Sequence, residues 1–167
     1  VYIGAEGPKN VAQTMEIADG WLPIFFSPYR TQIYDEALAK AKPGFEVACT
    51  VTTIVNDDVQ AGLNFVKMSL GFYLGGMGAK DKNFHLDLAR RLGWGAEADK
   101  VQELFLAGRR QEAFAAVPDE MADETALLGP PARIRERLEA WKKSPVTTLM
   151  VTARDKDTLR LFAEALL

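Results

Sequence analysis

The sequence predicts an α/β protein built on parallel strands, and three observations predict it. Four short apolar runs have strand character: Val1 to Ala5, Trp21 to Phe26, Glu46 to Val55 and Val146 to Thr152. They are nearly continuous rather than alternating, the pattern of strands covered on both faces. Each is followed by a helix-start signal and a helical stripe, and this alternation, repeated four times, marks a parallel sheet with crossover helices.

The elements follow in order. After the first run, Gly7-Pro8 places Pro at a first helical position, and Val11, Met15 and Ala18 recur at helical spacing. Ser27-Pro28 repeats the device after the second run, with Ser27 a candidate cap and Ile33, Ala37 and Ala41 as the stripe. The third run is the strongest strand, because Val47, Thr50, Val51, Thr52, Thr53, Ile54 and Val55 are β-branched and suit a pleated surface. Asn56-Asp57-Asp58 then supplies capping side chains and negative charge, and Val59, Leu63, Val66 and Leu70 form one face. The last run leads through Ala153-Arg154-Asp155 to a closing helix with Leu159, Phe162 and Leu166.

The third crossover is much longer than the others. We expect a helical insertion at about 74–130, broken by Gly93-Trp94-Gly95, Gly108 and Val117-Pro118. Past it, a helix starts at Pro131, where Ile134, Leu138 and Trp141 share a face and Arg135 and Glu139 are i,i+4 neighbours. Four βα units are half of what a closed eight-stranded barrel needs, and they could equally form a small open sheet.

Composition sets the outer bounds. A chain of 167 residues, 48% hydrophobic and 26% charged, is a packed domain of ordinary size, read as a single unit over 1–167. With 20 basic against 23 acidic residues, the net charge of -3 makes no electrostatic case for nucleic acid or an anionic membrane. A single Cys49 and a single His85 exclude a disulfide framework and argue against a metal site. The apolar runs are too short to span a bilayer, and with no secretory signal the expected compartment is the cytoplasm. The opening Val1-Tyr2-Ile3-Gly4 already reads as a strand, so we expect the chain to begin partway through a longer protein.

Candidate sites carry plain readings beside functional ones. In Gly4-Ala5-Glu6-Gly7-Pro8-Lys9-Asn10, small residues let a ligand approach the backbone, and the helix start offers unpaired N–H groups and the positive dipole end. The plain alternative is a tight turn that needs Gly. Gly75-Gly76-Met77-Gly78-Ala79-Lys80-Asp81-Lys82-Asn83 could wrap an anion or form a mobile surface loop, and it lacks P-loop spacing. His85 reads as a proton donor or as a half-buried packing residue, and Cys49 as an inert core thiol. Trp21, Phe25 and Phe26 read as core or as a stacking surface. Arg90-Arg91 and Arg109-Arg110 read as solvated helix faces, or as contacts for a poly-anion.

The stretch Val1 to Ala12, continuing through Glu16-Ile17-Ala18-Asp19-Gly20-Trp21-Leu22-Pro23, resembles the luciferase-like monooxygenase superfamily. Within it the resemblance is closest to the coenzyme F420-dependent oxidoreductases of actinobacterial type. Tyr73 to Lys80, Lys82-Asn83-Phe84, and Leu128-Gly129-Pro130-Pro131 with Arg133 and Arg137-Leu138 are similar to later blocks of the same group. The resemblance implies a (β/α)8 TIM-type barrel, of which this chain is the C-terminal half, strands five to eight, with the N-terminal half absent. It implies a flavin or coenzyme F420 at the C-terminal mouth, and hydride transfer to or from a small organic substrate, or oxygen activation with FMN. By the same resemblance, the turn Ala5, Glu6, Gly7, Pro8, Lys9 and Asn10 touches the cofactor's ribityl-phosphate arm. No catalytic residue transfers, because the first half carries most of the ring and substrate contacts. His85 falls where the family usually has Tyr. The alternatives are an inactive half-barrel that associates with itself or a partner through edge strands, and a small non-enzymatic binding module.

Overall fold

The computed structural model describes residues 1–79 and 82–166. Tyr2–Gly4 forms β1 and turns through Ala5–Gly7 into α1, Pro8–Ile17. β2 is Gly20–Leu22, followed by a 3-10 turn at Thr31–Tyr34 that runs into α2, Asp35–Leu38. β3, Glu46–Val55, is the long central strand and feeds α3, Val59–Gly76. Next come α4 (Phe84–Arg91), α5 (Gly95–Leu106), α6 (Arg110–Ala116) and α7 (Asp119–Glu124). β4 (Ala126–Gly129), α8 (Pro131–Lys143), β5 (Thr148–Val151) and α9 (Lys156–Leu166) follow.

Every strand pairing is parallel. β1 pairs with β2, β2 with the start of β3, β5 with Ala48–Val51 of β3, and β4 with Thr52–Val55. The sheet thus has five strands, one more than the sequence pattern predicts. β4 lies inside the stretch expected to be a helical insertion. Four residues between Thr125 and Pro130 are too few to show a period, yet all four are buried. Leu127 packs into a core with Val11, Met15, Trp21, Val47, Cys49, Val51, Ile134, Leu138 and Trp141. Its neighbours Ala126 and Leu128 pack into a second core, made by α3 to α7. One short strand therefore joins the insertion to the sheet.

The expectation of strands covered on both faces holds for one face only. Val47, Cys49 and Val51 are buried against helices, whereas Tyr2, Gly4, Leu22, Thr50, Thr148 and Met150 are exposed. The register puts Gly4 beside Leu22 and Thr50 beside Met150, so the exposed residues line the opposite face. β1 and β5 each pair with a single strand among the described residues. No helix among them is long and apolar enough to cross a membrane.

Three further expectations are corrected. The second strand stops at Leu22 rather than Phe26, because Pro23 lacks the N–H a ladder needs and Phe25 takes a left-handed φ of 49°. Ser27 does not cap a helix; buried, it accepts from the Tyr29 N–H and donates to Glu124 Oε2 at 2.8 Å. In α9 the buried stripe is Thr158, Leu161 and Phe162, with Leu159 and Leu166 exposed. The capping expectation at Asn56-Asp57-Asp58 holds, with Asp58 accepting from the Ala61 N–H, and at the start of α9 Asp155 accepts from the Thr158 N–H. The breaks at Gly93, Gly108 and Val117-Pro118 separate α4 to α7 as expected.

A partly buried ionic cluster fixes the insertion to the sheet. Arg30 donates Nε and Nη2 to Glu124, at 2.7 and 3.0 Å, and Nη1 to the Leu92 carbonyl. Its guanidinium also stacks on Trp94, 4.2 Å from the ring centre. Asp123, next to Glu124, takes Arg133 at 2.7 Å and Arg137 at 2.9 Å, both from α8.

Candidate functional site

The β1–α1 turn sits at the carboxyl end of β1, the end where parallel sheets gather ligands. Pro8 takes the first helical position, where a missing N–H costs nothing. Gly7 is the N-cap, and the Val11 N–H closes the first turn onto its carbonyl at 2.9 Å. The N–H groups of Lys9 and Asn10 have no acceptor among the described residues, and both side chains are exposed. Gly7 has φ -68° and ψ 143°, ordinary for any residue, and a Cβ built there meets nothing within 4 Å. The tight-turn explanation for this glycine therefore fails, and open space lies beside its Cα.

Neighbouring elements hold the turn's carbonyls. Ala5 is buried and its carbonyl accepts the Trp21 indole N–H at 2.8 Å. Trp21 is itself locked edge-on against Tyr34 and Phe26, so Trp21 and Phe26 are core. The Glu6 carbonyl accepts from Arg91, at the end of α4. The Glu6 carboxylate lies against His85, with Oε2 and Nδ1 2.8 Å apart, yet the pair is not aligned as a hydrogen bond and neither atom has a hydrogen-bond partner among the described residues.

Asn83 explains how His85 gets there. Its Oδ1 accepts from the N–H groups of His85 and Leu86, starting α4, while its Nδ2 donates to the Tyr73 and Leu74 carbonyls near the end of α3. His85 is then held edge-on to Tyr73 at 4.8 Å, and to Phe25 at 6.1 Å. Phe25 is the non-glycine residue with positive φ among those described, so backbone strain falls at this cluster. Phe25 is half-buried, packed on the second core and edge-on to Tyr73 and His85, and His85 is a packing residue that also faces a carboxylate.

The other candidates separate. Gly75 and Gly76 lie inside α3 against the Phe105 ring and wrap no anion. Lys80 and Asp81 of that segment lie outside the described residues. Arg90 and Arg109 pair with acids on solvated faces, but Arg91 turns inward to Glu6. Cys49 is buried, and burial pushes its thiol up to about 12, which leaves it inert. Tyr34, from the segment between β2 and β3, carries no sequence signal, whereas Arg91 and Tyr73, both between β3 and β4, stand in stretches the sequence singled out without showing that Arg91 reaches the turn.

A second concavity, of about 510 Å³, opens where β5 stops pairing with β3. Thr52, Ile54, Asn56, Gly62, Arg154 and Thr158 are among its lining residues. It too lies toward the carboxyl ends of the strands, and its lining combines threonine hydroxyls and apolar groups with the charges of Asp58, Arg154 and Asp155.

The profile of the luciferase-like monooxygenase family matches residues 1–148. The chain belongs to that family. It is 40% identical over 169 residues to a Mycobacterium tuberculosis (strain ATCC 25618 / H37Rv) protein named, provisionally, as a coenzyme F420-dependent oxidoreductase; the match covers 96% of this chain and 49% of that one. In structure it is similar to the coenzyme F420-dependent tetrahydromethanopterin reductase from Methanopyrus kandleri, with TM-score 0.66, 20% identity, and 98% of this chain on 49% of that one. It is also similar to an F420-dependent secondary alcohol dehydrogenase in complex with an F420-acetone adduct, with TM-score 0.60, 13% identity, and 99% of this chain on 47% of that one. The chain spans about half the length of the relatives it matches. The fold is the half-barrel α/β arrangement that the resemblance implied.

Proposed function

We propose that this chain forms the arm-binding part of an oxidoreductase that passes hydride between coenzyme F420 and a small organic substrate. The observation that carries the reading is Gly7: the chain itself has no steric need for glycine there, and the N–H groups of Lys9 and Asn10 lie unpaired beside it. A phosphate-bearing arm fits that opening, since it meets amide donors, the positive end of a helix dipole and the Lys9 ammonium. When bound, the deazaflavin supplies the ring that takes or gives hydride.

The residues of this chain bind and orient. Gly7, Lys9 and Asn10 hold the arm. Trp21 and Arg91 pin the carbonyls of Ala5 and Glu6, so the amides that follow keep one direction. The aromatic group Phe25, Tyr73 and His85 keeps water from one side of the turn. The β3–β5 concavity is the place for the organic substrate.

Binding of coenzyme F420 to the chain, followed by its deazaflavin fluorescence, tests this. Gly7→Ala, Lys9→Ala and Asn10→Ala should each weaken binding about tenfold, as loss of charge-assisted or close backbone contacts does. Unchanged affinity in all three overturns the assignment. FMN, with oxygen as acceptor, is the alternative cofactor, and tighter binding of FMN than of coenzyme F420 would select it. A second reading, an inactive half-barrel that associates with itself, is favoured by the exposed face of the sheet and the single-partner strands β1 and β5.

A further inference from the structure

Behind the β1–α1 turn lies a cavity of about 250 Å³, bounded by α1, by the 3-10 turn with α2, and by Arg91. Its polar lining is nearly all donor. Lys9 and Arg91 have no carboxylate partner among the described residues, and Arg91 spends only one nitrogen on the Glu6 carbonyl. Tyr34 is 2% exposed, and its hydroxyl makes no hydrogen bond to a described residue. That hydroxyl is within electrostatic reach of Arg91 and Glu6. Lys40 adds a third cation, loosely paired at 3.5 Å with Glu36, a side chain 95% exposed.

The Tyr34 side chain lines the cavity with its hydroxyl unpaired to a described residue, and three cations stand around it against one carboxylate, Glu36. What completes this lining is an acceptor with several oxygens and a negative charge. The guanidinium, the two ammonium groups and the phenol converge from different elements, and a tetrahedral oxyanion can meet such a set better than a planar carboxylate.

We propose that this cavity is an oxyanion subsite that takes a phosphate group, with Lys9, Tyr34, Lys40 and Arg91 as its donors. Lys9 is shared with the turn that holds the cofactor's arm, whereas Tyr34, Lys40 and Arg91 belong to the cavity alone. The subsite adjoins the turn at Ala5 to Asn10 but is formed mainly by side chains behind it.

Isothermal titration of the chain with inorganic phosphate at constant ionic strength tests the inference, with acetate and chloride as parallel arms. Phosphate should saturate one site, and Tyr34→Phe and Lys40→Gln should each weaken it about fivefold while near-ultraviolet circular dichroism stays native. Tyr34→Phe keeps the ring that packs on Trp21 and Phe26, so misfolding is not the expected result. Absence of saturation, equal affinity in both variants and the parent chain, or acetate binding as tightly as phosphate overturns the proposal. Gly7→Ala should leave the phosphate titration unchanged while weakening coenzyme F420, because Gly7 does not line the cavity. A chain that saturates with phosphate but takes no coenzyme keeps this inference and removes the cofactor reading.

Discussion

Gly7 and Gly129 both stand between a strand and a Pro-started helix, and the structure asks different things of them. Gly129 has φ 114°, and a Cβ there would come within 2.8 Å of Arg133 Cδ. Gly129→Ala should therefore cost about 1–3 kcal/mol in urea unfolding, while Gly7→Ala should change stability by no more than about 0.5 kcal/mol. Similar losses at both positions would show that Gly7 is structural after all. Tyr34 gives a second prediction at this scale. Burial pushes its phenol up from the ordinary value of 10.0 to about 12, opposed by Arg91 and aided by Glu6. A raised folded-state value means the stabilising contribution is complete below pH 10.0 and lost as pH rises toward about 12. Tyr34→Phe should flatten the loss of stability across that window, read as melting temperature against pH; an unchanged profile would remove Tyr34 as its source. The sequence offered Gly7 both as an opening for a ligand and as a turn that needs Gly, and it held no signal for Tyr34, since a Tyr beside a short helix looks alike whatever surrounds it.

Among the elements, β4 and α7 decide how the insertion meets the sheet. Glu124, 8% exposed, is held by Arg30 and Ser27 from the segment after β2. Arg30→Met removes the guanidinium and leaves a buried carboxylate with a hydroxyl as its remaining side-chain partner. That change should cost about 3 kcal/mol, because breaking one side of a buried pair strands the other charge. Loss below about 1 kcal/mol in chemical unfolding would mean that water reaches Glu124 freely. The sequence announces the strong helices, and the stripe Ile134, Leu138 and Trp141 is buried as spacing predicts. Arg135, by contrast, pairs with Glu164 of α9 at 3.1 Å rather than with Glu139, and Glu139 pairs with Lys142. Side chains within one helix had several acceptable partners, and packing of α8 on α9 chose among them.

For the molecule as a whole, the open face and the single-partner strands matter most. Exposed Leu22 and Met150, with unpaired backbone along β1 and β5, form a surface that another sheet can cover. Sedimentation of this chain should show a dimer or larger species. A clean monomer whose β1 and β5 amides resist hydrogen exchange would count against pairing through those edges.

By itself the sequence determined the parallel α/β class, because β-branched runs and helix-start signals act through local backbone preference and side-chain period. It also determined where the β1–α1 turn lies and that α1 begins at Pro8. Only the tertiary structure decided that Arg91, His85 and Tyr34 meet at that turn, since they come from segments tens of residues away along the chain. The same holds for β4: four residues carry no period of their own, and the pairing with β3 and the two cores on its faces make them a strand.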